Sequence, residues 1–219
     1  MTAFTQWDIL RGLLLGTRWT VVLSLATFAG AALLGMALLL ARTSRHRGLR
    51  LAARLYIELF QGTPLLMQLF LAFFGLSLFG LDVPAWLAAG MALIFWASAF
   101  LAEIWRGCVE SVPRGQWEAS ASLAMGYFQQ MRHVVLPQAL RLSIPPTVGF
   151  SVQIVKSTAL TSIIGFTELS KAGTIITNAT FQPFTVYGYA ALIYFVLCWP
   201  MSRLSHSLER RLQHASDRA

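Results

Sequence analysis

Polar and charged side chains interrupt an apolar stretch in the second half of the chain. Gln153, Lys156 and Ser157 lie close together among Val, Ile, Leu and Phe. Lys156 falls about 14 residues past Leu142, roughly 20 Å along a helix, and no acidic residue of the chain shares that depth. An ammonium group there needs a partner. Four partners are open: a solute carboxylate, another subunit, water, or backbone carbonyls that would make the lysine a packed brace.

A second polar set surrounds the sequence Gly62-Thr63-Pro64. Carboxylate and amide groups in this position can contact a solute or its path, or form hydrogen bonds between helices, and the sequence leaves both roles open. Two residues near the middle of the next apolar stretch complete the set. The candidates for the solute path are Glu58, Gln61, Gln68, Trp96, Ser98, Gln153, Lys156 and Ser157.

Residue patterns for catalysis or metal binding are missing from the sequence. A P-loop needs Gly-Lys-Ser/Thr, but the two lysines, Lys156 and Lys171, follow valine and serine. A Gly-x-Ser-x-Gly elbow is also missing. Cys108 and Cys198 are far apart and read as free thiols. The histidines lack zinc-ligand spacing and fall between apolar stretches, at His46, His133, His206 and His214. We therefore predict no catalytic residue, no metal site and no resident cofactor.

The composition indicates the solvent in which these side chains must lie. Of 219 residues, 56% are apolar and only 12% are charged, about half the usual charged share of a soluble domain. Several apolar runs exceed the roughly 18 residues that cross hydrocarbon as a helix. We predict an all-α integral membrane protein with one transmembrane domain, 1–219. Its five transmembrane helices are predicted at about 19–41, 55–79, 85–102, 140–166 and 184–201.

Basic residues cluster in the segments between alternate spans. The net charge of +8 therefore indicates topology and contact with membrane lipid rather than a nucleic-acid partner. Arg11 and Arg18 near the N-terminus are a weaker signal in the opposite direction. The count predicts an external N-terminus and a cytoplasmic C-terminus. The supporting residues are Arg42, Arg45, Arg47, Arg50, Arg54, Arg106, Arg114, Arg132, Arg141, Arg203, Arg210, Arg211 and Arg218.

Two of the predicted spans contain helix-breaking prolines as well as polar residues. Pro64 lies in span two, and Pro145-Pro146 lies in span four. Proline removes a backbone donor and clashes with the preceding turn. Polar groups within a membrane are tolerated where they face protein or a watery cavity. These two helices are therefore predicted to line a cavity.

The segment from about 108 to 138 is too polar to span and too long for a simple turn. A run of good helix formers, Glu118–Ala124, is followed by glycine and then by Pro137. The pattern predicts a short helix, a turn, a second helix, and a stop at Pro137 before span four.

This segment resembles the EAA loop of type I ATP-binding-cassette (ABC) importer permeases. The family pattern is Glu-Ala-Ala, three residues, Gly, nine residues, Ile, one residue, Leu-Pro. Three positions depart from it: Ser120, Ala124 and Val134. Because glycine supplies backbone angles that alanine resists, Gly126 is a candidate to form the turn instead of Ala124. The ATPase-coupling residues that the resemblance implies are Glu118, Ala119, Ser120, Ala124, Gly126, Leu136 and Pro137.

The resemblance extends over most of the chain. The tracts 56–66, 101–119 and 156–160 are similar to those of polar amino acid permeases. It implies a bacterial cytoplasmic (inner) membrane protein with three kinds of partner. These are an ABC ATPase dimer that binds ATP and Mg, a second permease subunit, identical or related, and an external amino-acid-binding protein.

An ion-gradient-driven secondary transporter of small polar solutes is the alternative. Such proteins often contain two related halves with broken helices in matching positions. Five spans do not divide evenly, and the chain has no second copy of Gly62-Thr63-Pro64. The importer permease is the reading that the sequence favours.

Overall fold

The computed structural model describes residues 5–44 and 46–216, with side chains up to Leu212. Arg45 and Arg218 lie outside the described residues, as does the side chain of His214. Helix α1 covers Gln6–Thr43 and begins at a capping box, in which Asp8 N donates to Thr5 Oγ1 at 3.2 Å and Thr5 N donates to Asp8 Oδ2 at 3.0 Å. Its 38 residues measure roughly 57 Å, well beyond the hydrocarbon thickness.

The second predicted span is a pair of helices rather than one. Helix α2 (Arg47–Gly62) and the segment Leu65–Leu78 meet at 103°. That segment comprises α3 (Leu65–Phe70), a π-helical turn (Leu71–Gly75) and α4 (Leu76–Leu78). Thr63 has extended backbone angles and Pro64 lacks the N–H that would continue α2. The predicted span over 55–79 is therefore divided by a bend and is not one continuous helix.

Helix α5 (Ala85–Glu110) lies at the centre of the fold and packs against both α1 and α3. Small residues allow the close approach of α1. A Cβ at Gly35 would lie 3.1 Å from the Ser98 carbonyl oxygen, and one at Gly30 would lie 2.7 Å from the end of the Ile94 side chain. The helix begins where the span 85–102 was predicted to begin, and it continues to Glu110.

The polar segment after α5 folds into helices. Helix α6 covers Arg114–Ser122. Helix α7 (Tyr127–Gln130) leads through a π-helical turn (Met131–Val135) into α8 (Leu136–Ser157). The predicted stop at Pro137 is wrong, because Pro137 lies in the first turn of α8 and the helix continues past it. The wider π turn lies where the proline ring would clash with the preceding carbonyl.

The fourth predicted span, 140–166, is wrong at both ends. Helix α8 starts earlier and ends at Ser157, followed by a 3₁₀ turn over Thr158–Ser162 and a bend at Gly165 with φ +92°. Helix α9 (Leu169–Thr180) then occupies a segment that the sequence indicated only as a loop. Helix α9 packs on the first half of α1. The last helix, α10 (Pro183–Ser216), follows it in the chain.

Every regular element in the described part of the chain is helical, which confirms the all-α class. Three helices, α1, α5 and α10, are long and apolar enough to cross a membrane. A fourth span results if the bent pair of α2 and the segment Leu65–Leu78 is counted as one.

Candidate functional site

The break between α2 and α3 is stabilised by one side chain. Gln68 Nε2 donates to the Phe60 carbonyl at 3.0 Å, to the Thr63 carbonyl at 3.1 Å and to Thr63 Oγ1 at 2.9 Å. These acceptors lie on the other side of the break. Gln68 is buried, and its Oε1 has no hydrogen-bond partner among the described residues. The amide therefore satisfies the carbonyls that Pro64 leaves open and maintains the bend.

The polar groups of α2 divide between solvent and helix α5. Gln61 Nε2 donates to the Ala99 carbonyl at 3.2 Å, and the Tyr56 hydroxyl lies 2.9 Å from Ser98 Oγ. Ser98 is fully buried by this contact. Glu58, in contrast, is exposed and forms an ion pair with Arg54 at 2.6 Å. Gln61 and Ser98 thus form the hydrogen bonds between helices that the sequence left as one of two options.

Trp96 connects α5 to α8 in the apolar core. Its side chain is 8% exposed. The ring centroid lies 5.2 Å from that of Phe100 and 5.5 Å from that of Phe150 on α8. Aromatic pairs at these distances stabilise helix packing beyond simple area burial.

Lys156 and Gln153 are exposed on the surface of α8, whereas Ser157 is buried. Lys156 has no hydrogen bond or ion pair with any residue that the structure describes. The structure does not join these residues by hydrogen bonds to the polar set around Pro64. The Lys156 ammonium remains available to a solute, water or another subunit.

Glu168 is a buried acid that sequence reasoning missed. Its side chain is 0% exposed at the start of α9. Oε1 accepts from Lys171 N at 2.8 Å, and Oε2 accepts from Ser170 N and Tyr194 OH, both at 2.9 Å. Thr20 Oγ1 of α1 accepts from Leu169 N at 3.1 Å. Glu168 thus caps α9 and connects it to α1 and α10. The available signal was a single acid next to an apolar run.

The loop between α5 and α8 contains a residue in the left-handed backbone region. Ala124 has φ +58°, whereas Gly126 has φ −68°, an ordinary value for any residue. The prediction that Gly126 forms the turn is therefore wrong, because Ala124 adopts the angle itself. Gly126 instead begins α7, where its N–H donates to Gln129 Oε1 at 3.0 Å.

One face of α6 is anchored and the other is open. Ser120 is 3% exposed, and Trp117 packs on a small apolar cluster of Val112, Val135 and Ala139. The coupling candidates Glu118, Ala119, Ala124, Gly126, Leu136 and Pro137 are exposed. Three large apolar side chains extend this open surface: Leu123, Tyr127 and Phe128, with 77%, 58% and 73% exposure. We name these three side chains the loop patch. Exposed apolar patches of this kind mark protein contacts.

Charged residues join the ends of α1 and α5 next to this loop. Glu103 Oε2 forms an ion pair with Arg106 Nη2 at 2.7 Å, and Glu103 Oε1 lies 3.6 Å from Arg42 Nε. Arg106 also pairs with Glu110. The end of α1 and the helix that leads into the loop are therefore held together.

Long apolar helices, a pair of helices bent at Pro64 and a folded loop with an open apolar surface together define a helical membrane transport protein. The chain belongs to the family described as the binding-protein-dependent transport system inner membrane component, whose model matches residues 33–214. It is accordingly a permease subunit of the bacterial inner membrane, which confirms the resemblance to ABC importer permeases. The ion-gradient alternative is not supported.

Curated relatives and solved structures agree with this assignment. The chain is 36% identical to the L-cystine transport system permease protein TcyB of Bacillus subtilis, over 94% of this chain and 87% of that protein. It is 34% identical to the probable amino-acid ABC transporter permease protein YckA of Bacillus subtilis, over 91% and 88%. A crystal structure of an amino acid ABC transporter with histidines superposes with a TM-score of 0.89 at 36% identity, over 92% of this chain and 94% of that chain.

Proposed function

We propose that this chain forms half of the path by which an ATP-driven importer moves polar amino acids into the cytoplasm. A second permease subunit, identical or related, supplies the other half. An external binding protein delivers the amino acid, and an ATPase dimer binds ATP and Mg. The observation that carries the proposal is the likeness to an amino acid transporter over 92% of this chain, at a TM-score of 0.89.

The proposed topology has five spans, an external N-terminus and a cytoplasmic C-terminus. Helices α1, α5 and α10 would be three of the spans. The segment Leu65–Leu78, which follows α2 across the bend at Pro64, would be another, and α8 would be the fifth. The arginines of α2 and those in the last part of α10 support this orientation. A C-terminal reporter that is active only outside the membrane is expected to stay silent, and activity would reverse the topology.

The proposed solute path lies along the open face of α8. Lys156 and Gln153 are exposed there. An ammonium group at this position can pair with the carboxylate of an amino acid, and an amide can both donate and accept hydrogen bonds. If α8 of a second subunit faces this α8, such groups would surround the solute from both sides. The second subunit would thereby complete a cavity that one chain leaves open.

The loop patch is proposed as the docking surface for the ATPase. Glu118 and Ala119 are exposed on α6, the helix that comes just before the loop patch in the chain. The segment Tyr127–Ser157 is helical throughout, from α7 through the π turn to α8. Movement of the docked loop would therefore be transmitted along this segment to Lys156. Such a connection would couple ATP hydrolysis to a change in the solute path.

Co-purification tests this function. The tagged chain is expected to bring down an ATPase and, in proteoliposomes with its partners and binding protein, to take up a polar amino acid when ATP is inside. Phe128→Asp should reduce ATPase recovery at least tenfold, because it places a charge in the loop patch. Phe184→Asp is the matched control, since Phe184 is 96% exposed outside the loop. Full ATPase recovery with Phe128→Asp would contradict the docking role.

A further inference from the structure

Helix α2 presents two strips of side chains that the rest of the chain leaves exposed. At roughly 100° per residue, three arginines share one strip and three leucines share the strip next to it. The leucines are each more than half exposed. The first strip consists of Arg47, Arg50 and Arg54, and the second consists of Leu51, Leu55 and Leu59.

The packed side of α2 fixes the directions of both strips. Ala53 and Ile57 are buried in a cluster with residues of α1 and α5. On a regular helix the leucine strip then points about 180° away from the packed side, and the arginine strip lies about 80° to one side of it. The leucines therefore extend laterally from the bundle, and the arginines extend along a single edge.

The bend at Pro64 determines how α2 lies relative to the membrane. Its angle to the segment Leu65–Leu78 is 103°. If that segment has an ordinary tilt of about 20°, α2 lies within roughly 33° of the membrane plane. Helix α2 follows α1 almost directly, and the Arg42–Glu103 pair lies at the same end of the bundle. In the orientation of the proposed function, on which this inference rests, that end is cytoplasmic.

We propose that α2 is an interfacial helix that binds anionic phospholipid of the inner leaflet. Guanidinium groups match phosphate oxygens in geometry and charge. An amphipathic helix in the membrane plane places its apolar side among acyl chains. The arginine strip would face the lipid phosphates, and the leucine strip would contact the upper part of the chains. Arg47 forms no hydrogen bond or ion pair with the part of the chain that the structure describes.

Charge distinguishes this ligand from a second copy of the chain. A two-fold contact made by the same strips would bring arginine rows of both copies close to each other. Anionic lipid would instead place negative charge beside the arginine strip. Glu58, the acid within α2, pairs with Arg54. Bound lipid would hold α2 in the membrane plane and so maintain the bend that Gln68 stabilises from inside.

Lipid retention tests the site directly. The full chain, purified in micelles with equal amounts of phosphatidylglycerol and phosphatidylcholine, is measured by native mass spectrometry. We expect the wild-type chain to retain phosphatidylglycerol in preference to phosphatidylcholine. The ratio of the two retained lipids should fall about fivefold in Arg47→Gln, and about fivefold again when Arg54→Gln is added. Arg114→Gln with Arg132→Gln is the control, because both arginines are exposed outside α2. This control pair should leave the preference unchanged.

Two further outcomes separate the alternatives. Leu51→Gln with Leu55→Gln should lower retention of both lipids while the permease pair stays assembled. Dissociation of the pair by these changes would identify the strip as a contact between copies and overturn the proposal. An unchanged lipid preference in Arg47→Gln with Arg54→Gln would also overturn it. Amino acid uptake by the wild-type complex is measured separately, so failure of the lipid site and failure of the proposed function are distinguishable.

Discussion

Ala124 and Gly126 have exchanged the backbone angles that their side chains favour. Ala124 is left-handed at φ +58°, and Gly126 is extended at φ −68° and ψ 159°. A left-handed alanine costs on the order of 1 kcal/mol. Ala124→Gly is therefore expected to stabilise the folded chain by about 1 kcal/mol, measured as a higher unfolding midpoint in detergent.

Gly126→Ala is the matched control for that change. A Cβ at Gly126 would meet nothing within 4 Å, and its φ suits any residue. The unfolding midpoint should change little. A stability loss at Gly126 equal to the gain at Ala124 would show that the turn is formed differently.

Glu168 is expected to be the most costly single residue to truncate in the region where α9 packs on α1. Glu168→Ala removes four hydrogen bonds and leaves the part-buried N–H groups of Ser170 and Lys171 without this acceptor. The expected loss is about 3 kcal/mol of unfolding free energy. Glu168→Gln keeps one acceptor oxygen and should lose less. Tyr194→Phe removes a single bond and serves as the control, so an equal loss in all three variants would contradict the role of the cap.

Close contact between α1 and α9 depends on Gly16. A Cβ there would lie 2.7 Å from the Ala172 Cβ and 3.1 Å from the Glu168 carbonyl oxygen. Gly16→Ala should destabilise the chain by 1 kcal/mol or more, although alanine favours helices by about 1 kcal/mol. The same change at Gly90 meets no atom within 4 Å and should stabilise. Equal effects at the two sites in thermal unfolding would show that the contact is unimportant.

Lys156→Met is expected to reduce uptake at least tenfold. It should leave the unfolding midpoint and ATPase recovery unchanged, because Lys156 is exposed and forms no hydrogen bond or ion pair with the described residues. Lys171→Met is the natural control, since these are the only two lysines of the chain. Normal uptake with Lys156→Met in assembled complexes would remove Lys156 from the solute path.

The sequence alone determined the class of protein and the position of the polar loop between α5 and α8. A long apolar run indicates a membrane helix whatever that helix packs against. The sequence therefore predicts the regions of α1, α5 and α10. The spacing from Glu118 to Pro137 is likewise a property of the chain itself. The prolines indicated irregular spans, although the alternation of apolar runs does not reveal where an irregular helix ends.

Tertiary structure decided the features that depend on distant partners. The 103° bend is stabilised by Gln68 together with the contacts of α2 and α5. The burial of Glu168 requires Thr20 and Tyr194, which are remote in sequence. The turn at Ala124 arises because Trp117 and Ser120 fix α6 against the start of α8. Local propensity predicts neither a left-handed alanine nor a buried carboxylate, because packing elsewhere in the fold supplies the free energy for both.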